Sequence, residues 1–311
     1  MMDEIRASAA TASLLGLREW AVEVMPTTLY FMLGDECRGA CAYCTQGRDF
    51  LSRVRWPSFP INNVADRLGH LDGHARVGRI CIQSLYYRGV VDDIVEAAGL
   101  LGRYGIPVSV SMNPVGIGDF ERIRGAGVER VGIGLDCCTR ELFSKWKKNV
   151  PSWDEYMKGL DDAKRVFGNS TAHIIIGLGE SDKEAVGMID YLYRKGIDVA
   201  LFSYTPVRGG SPPPVGRYRA IQLARYLIAG GMRTGADFSF EDGRLAEMEF
   251  PEGIEYGNAF LTSGCPSCNR PFYNERVSGP MYNYPRRMGN GEIEKAIEEV
   301  KKYVRVYTSA P

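Results

Sequence analysis

The chain has 311 residues with 38 basic and 38 acidic side chains, so it is formally neutral. Neutrality without a block of like charge leaves no electrostatic footprint for nucleic acid, and no apolar run reaches the roughly 18 residues of a membrane-spanning helix. Eight cysteines are too sparse for a disulfide scaffold, yet six are grouped at 37/41/44, 137/138 and 265/268, which points to metal or redox chemistry in a reducing compartment.

Residues 1–25 place Asp3 and Glu4 where a secretory signal is basic, and Arg18 and Glu19 interrupt the apolar residues. A helical segment of a cytoplasmic protein is expected there. Six short β-branched runs follow: TLYFMLG (28–34), GRICIQS (78–84), PVSVSM (107–112), RVGIGLD (130–136), AHIIIGLG (172–179) and DVALFSY (198–204). Each precedes a segment long enough for a helix, which implies parallel pairing through right-handed crossovers. Between them, VVDDIVEAAGLLGRYG reads as a helix stopping at Gly105 before Pro107, and SDKEAVGMIDYLYRKG as one capped by Ser181 and closed by Gly196. The expected fold is α/β, a partial or near-complete (β/α) barrel over residues 26–210.

The Pro/Gly-rich stretch 207–216 ends this rhythm and opens an extension, 211–311, expected to fold over the barrel mouth. It holds an amphipathic helix, RYRAIQLARYLIAGG, whose Arg217 and Arg219 are expected in solvent. An irregular FSFEDGRL segment and a cysteine-bearing loop follow. The closing helix, GEIEKAIEEVKKYVRVY, carries an apolar stripe at Ile293, Ile297, Val300 and Val304.

In a β/α barrel the active site lies at the C-terminal ends of the strands, where Cys37, Cys41, Cys44, Cys137 and Cys138 all fall. The stretch CRGACAYC offers three thiols and no fourth nearby. Structural zinc takes four ligands, and catalytic zinc generally uses imidazole or carboxylate among three, whereas this chain has only His70, His74 and His173. Arg38, Gly39 and Gln46 make the stretch a polar loop rather than a core segment. A cubane iron–sulfur cluster on three thiolates, with one iron open to a small molecule, accounts for the missing cysteine.

Cys37-x3-Cys41-x2-Cys44, with Tyr43 before the last cysteine and the loop after the first β/α strand, resembles the signature of the radical S-adenosylmethionine (SAM) superfamily. The resemblance implies a [4Fe-4S] cluster whose open iron binds SAM, a low-potential electron donor, and a 5′-deoxyadenosyl radical that removes a hydrogen atom from an unactivated carbon. HIIIGLGE is similar to the fifth-strand segment of that family, which implies Ile175 near adenine and Glu180 closing the motif; Tyr43 and Asn113 are further implied cofactor contacts. SYTPVRGGSP resembles the sixth-strand segment of biotin-synthase-like members. QSLYYRG stands where the family usually carries a GGE-like segment.

Cys265-Pro-Ser-Cys268 is a second ligand pair, ambiguous alone between zinc, redox and iron–sulfur chemistry. With Cys137 as a third thiolate it suits an auxiliary [4Fe-4S] cluster, the fourth ligand being Ser278, Ser263 or Cys138. Cys81 reads as a core thiol. The segment GCPSCNRPFYNERVSGPMYNYPRR, with the first cysteine loop, resembles the archaeal-type two-component lipoyl synthases. That implies sulfur insertion into an octanoyl-lysyl chain on a carrier protein, a second radical SAM component as partner, and sacrifice of the auxiliary cluster. A biotin-synthase-like or methylornithine-synthase-like enzyme on a free small molecule and a non-catalytic iron–sulfur electron or cluster carrier are the alternatives.

Overall fold

A computed structural model of the protein describes residues 2–46, 56–71, 77–206, 210–272, 275 and 279–308. Six parallel strands form its centre: β2 (Thr28–Leu33), β4 (Arg79–Ser84), β5 (Val108–Met112), β6 (Val128–Asp136), β7 (Ser170–Ile176) and β8 (Asp198–Ser203), hydrogen-bonded in that order. Two short antiparallel strands, β1 (Glu4–Ala7) and β3 (Ser58–Pro60), extend the sheet beyond β2. The helices between them are α1 (Ala9–Leu14), α2 (Ile61–Gly69), α3 (Val90–Leu101), α4 (Ile117–Gly125), α5 (Arg140–Trp146), α6 (Trp153–Phe167) and α7 (Asp182–Arg194). The β/α part therefore matches the expected partial barrel, with all six runs in parallel register.

Side-chain alternation sorts each strand into an apolar outer face and a more polar lumen. In β4, Ile80 and Ile82 are fully buried in the core that the helices cover, while Arg79, Cys81 and Gln83 line a cavity inside the barrel. In β2, Leu29, Phe31 and Leu33 pack outward and Thr28 and Tyr30 face inward. His173 and Ile175 share the half-buried lumen side of β7.

The extension continues with α8 (Val215–Ala229), the hairpin β9 (Ser239–Glu241) and β10 (Arg244–Glu249), α9 (Asn290–Lys301) and β11 (Arg305–Tyr307). Three differences from the sequence reading follow. Residues 4–7 form a strand rather than a helix, because Ile5 and Ala7 are buried by pairing with β2 and β3 while Ser8 caps the short α1. FSFEDGRL is a hairpin turned by Asp242 and Gly243, both at positive φ. The closing helix ends at Lys301, and 305–307 pair parallel with β10. Among the described residues no helix is long and apolar enough to cross a membrane.

Candidate active site

The loop after β2 carries Cys37, Cys41 and Cys44 at the C-terminal ends of the strands, each half-buried. It is held by backbone pairing to a neighbouring loop: Ala40 N–H donates to Lys148 O (2.8 Å), Ala42 N–H to Trp146 O (2.9 Å) and Arg38 N–H to Tyr86 O (2.7 Å). Cys44 N–H closes a turn onto Cys41 O at 3.1 Å. Burial raises the Cys41 thiol above its ordinary range and pushes Cys44 up to about 11. A thiol so shifted binds as thiolate only when a cation compensates it, which suits a metal-cluster ligand.

Below the loop lies a buried polar triad. The Tyr43 hydroxyl donates to Asp136 Oδ2 at 2.5 Å, and Lys147 Nζ donates to the same oxygen at 2.7 Å and to Gly134 O. Burial opposes the charge on Lys147, but the Asp136 carboxylate outweighs it and holds the ammonium above the ordinary lysine value. Burial, and then Asp136, keep the Tyr43 phenol protonated as a donor. Asp136 reaches both partners because it ends β6 at φ 66°, after an irregularity in its pairing with β7. Lys147 Nζ also sits 4.3 Å over the Tyr156 ring, whose hydroxyl donates to Asn113 Oδ1. Sequence reasoning missed Asp136 and Lys147; the one available signal was an acidic residue at a strand end facing the active-site side.

The expected cofactor residues fall at this end of the barrel. Asn113 follows β5 directly, and Ile175 lies one residue before the end of β7 on its lumen side. Glu180 is 5% exposed, accepts from Gly177 N–H (2.7 Å) and Leu178 N–H (2.9 Å), and pairs with Arg217 at 2.9 Å, so it closes the turn. Arg217 and Arg219 are accordingly not solvent residues: Arg217 bridges Glu180 and Asp182, and Arg219, 1% exposed, donates to Tyr282 O at 2.5 Å and to Met281 O.

The second cysteine group is reorganised. Cys137 and Cys138, 0% and 4% exposed, belong to the hydrophobic core at the C-terminal end of β6, where burial raises both thiols. The Cys265–Cys268 pair lies at the opposite end of the barrel. The Thr27 and Thr28 hydroxyls each donate to Ser267 O at 2.7 Å, and Arg79 Nε donates to Pro266 O at 2.9 Å; Thr28 and Arg79 open β2 and β4. Cys137 is therefore not brought to the pair, and the pair does not cover the C-terminal mouth. Cys81, expected in the core, faces the lumen with Cys265 and Cys268. Ser263 is committed to Leu201 N–H (2.9 Å), and Ser278 lies outside the described residues. Among the described residues no three His, Cys, Asp or Glu side chains converge as a mononuclear metal site requires. A cubane instead spreads its thiolates over separate corners.

Comparison with known proteins matches residues 32–192, more than half of the chain, to the model of the Radical SAM superfamily. The sequence is 26% identical over 192 residues to a GTP 3′,8-cyclase of Ectopseudomonas mendocina (strain ymp), covering 58% of this chain and 55% of the relative. It is 22% identical over 193 residues to a biotin synthase of Hydrogenobaculum sp. (strain Y04AAS1), covering 57% and 56%. The chain thus spans about half the length of these curated relatives. A biotin synthase of Nitrosococcus oceani matches at 22% identity over 79% of this chain and 75% of the relative. Among solved structures, methylornithine synthase superposes with a TM-score of 0.55 at 13% identity, over 80% of this chain and 70% of that one, which shows a shared fold.

Proposed function

We propose, from the premise that this chain belongs to the radical SAM superfamily, that it is one component of a two-protein lipoyl synthase acting in the cytoplasm. It inserts sulfur at an unactivated carbon of an octanoyl-lysyl chain presented by a carrier protein, with a second radical SAM chain as partner and a low-potential donor as reductant. When bound, the first [4Fe-4S] cluster and SAM supply the hydrogen-abstracting radical, chemistry that no side chain can perform on a carbon without acidity. The chain's own residues do the rest. Cys37, Cys41 and Cys44 hold the cluster on a loop fixed by Tyr43, Asp136 and Lys147, and the aromatic contacts of Tyr43 with Trp146 and Trp146 with Tyr204 help to exclude water.

The observation that carries the sulfur-inserting reading is the Cys265–Cys268 pair inside the barrel lumen, facing a cavity that runs from Thr28 and Arg79 up to Gln83 and Ser111. A ligand pair at that position would hold an auxiliary cluster inside the barrel, which supports this reading. Anaerobic assay with an octanoyl-lysyl peptide, SAM, a reductant and the partner chain is expected to give thiolated peptide by mass spectrometry. SAM cleavage without thiolation overturns this reading and favours the second, an enzyme acting on a free small molecule, which the biotin synthase match over 79% of the chain supports. Absence of SAM cleavage altogether leaves an electron or cluster carrier.

A further inference from the structure

Three thiols line one cavity inside the barrel towards the N-terminal ends of the strands, and two buried arginines lie at that end. Cys81, Cys265 and Cys268 line one cavity of about 70 Å³ with Thr28, Tyr30, Arg79, Ser109 and Arg270. Arg79 and Arg130 are 3% and 8% exposed. Each engages an acid at the rim, Arg79 with Glu129 at 2.7 Å and Arg130 with Asp198. Each also keeps a buried nitrogen, Arg79 Nη1 and Arg130 Nε, with no hydrogen-bond partner among the described residues. Orphaned buried guanidinium donors are costly, and Arg79, which lines the cavity with the thiols, offers such a donor to an anionic group bound there.

Two hydroxyls stand beside the thiols. Tyr30 Oη accepts from Arg270 N–H (2.8 Å) and Asn269 N–H (3.2 Å), which occupies both lone pairs, and it lies 3.5 Å from Cys268 Sγ. Its one proton is therefore free only to donate to the sulfur, so Cys268 is set up as an acceptor. Thr171 Oγ1 accepts from Arg130 Nη1 at 3.3 Å and stands 3.8 Å from Cys265 Sγ, close enough to donate its proton to that sulfur. An acceptor sulfur at Cys268, with Arg79 and Arg270 lining the same cavity, suits a thiolate ligand.

We infer that Cys81, Cys265 and Cys268 are the thiolate ligands of an auxiliary iron–sulfur cluster in the barrel lumen, with Arg79 and Arg130 donating to its anionic sulfur. The inference rests on the reading above that this chain carries a second cluster, and it replaces Cys137 by Cys81 as the third ligand. Cys81 reaches the site because β4 alternates, sending Ile80 and Ile82 to the core and Arg79 and Cys81 to the lumen.

The test is iron and sulfide analysis with electron paramagnetic resonance on the full chain after anaerobic reconstitution, in a background where Cys37, Cys41 and Cys44 are all alanine. That background is expected to retain about four irons and sulfides per chain, the content of one cubane. Adding Cys81→Ala is expected to lower both at least tenfold, whereas adding Cys137→Ala leaves both unchanged. Should Cys81→Ala not fold, Cys81→Ser keeps the side-chain volume and is expected to lose iron or change the resonance of the reduced cluster. Full iron with an unaltered spectrum in the Cys81 variants overturns the ligand assignment while leaving the second cluster standing. A background that takes up no iron, or one zinc without sulfide, overturns the second cluster itself. Arg79→Met in the same background is expected to lower the retained iron at least twofold, and full retention overturns the role given to that guanidinium.

Discussion

Asp136 shows how one side chain can hold a reactive loop. Its carboxylate, with 16% of the side chain exposed, takes both the Tyr43 hydroxyl and the Lys147 ammonium, and Lys147 has 3% of its own side chain exposed. Removing one member of such a pair leaves an uncompensated buried charge. Lys147→Met is therefore expected to cost about 3 kcal/mol in denaturant unfolding of the metal-free protein, and to lower the iron held by the first loop, because Ala40 and Ala42 are pinned to the backbone on either side of that lysine. An unchanged midpoint would count against the triad. His173 gives a pH signature. Burial first, and Arg270 second, push its imidazole down to about 4, so the folded metal-free protein keeps it neutral where the unfolded chain protonates. Its contribution to stability is complete above about pH 6.5 and is lost as pH falls towards 4, with a slope of at most about 1.4 kcal/mol per pH unit. His173→Gln is expected to flatten that slope in unfolding curves taken between pH 4 and 7. At this scale the first cysteine group was legible because ligand count and loop position are sequence properties. The third lumen thiol was not, because a lone cysteine among apolar neighbours looks like core; yet RICIQS alternates Ile with Arg, Cys and Gln, and that alternation does mark Cys81 for the polar face.

Among the elements, α7 and α8 show where tertiary pairing overrides a surface expectation. The helix-start pattern at Ser181 is realised as a capping box with Glu184. What the pattern did not reveal is that Asp182, in the first turn, faces inward, accepting from Arg217 Nε (2.7 Å), Leu245 N–H (2.9 Å) and the Tyr303 hydroxyl (2.7 Å). One carboxylate thus ties α7 to α8, β10 and the segment after α9. The six parallel strands and most helices were legible because apolar period and punctuation are local. Arg217 was not, since its partners, Glu180 and Asp182, are more than thirty positions away in the chain. Arg217→Met keeps the apolar stem and leaves two carboxylates, each with 1% of the side chain exposed, without their cation. A loss of about 3 to 5 kcal/mol is expected, read from thermal unfolding of the metal-free chain. A loss below about 1 kcal/mol, the range of surface pairs, would mean that the bridge is not formed in solution.

For the whole molecule, the chain places Cys37, Cys41 and Cys44 at the C-terminal ends of the strands and plugs Cys265 and Cys268 into the N-terminal ends with residues from the extension. The plug depends on Asn269, 8% exposed, which joins three parts of the chain: its Oδ1 accepts from Thr27 N–H (3.0 Å), and its Nδ2 donates to Met25 O (3.0 Å) and Pro285 O (3.3 Å). None of these partners is near it in sequence, so no local pattern could have disclosed that residues 263–270 of the extension enter the barrel at the strand starts. Truncating Asn269 leaves Thr27 N–H and two carbonyls without their partner at partly to fully buried positions, and each loss costs about 1 kcal/mol. Asn269→Ala is expected to destabilise the protein by about 2 to 3 kcal/mol and to raise amide hydrogen exchange across residues 263–270 before it does so in β4 to β8. Because the first cysteine loop is held instead by Lys148 O and Trp146 O, iron analysis of the reconstituted variant is expected to show the proposed lumen cluster depleted and the SAM-binding cluster retained. Equal loss from both would show that the two ends are not independently anchored, and would place the control of cluster binding in the barrel as a whole.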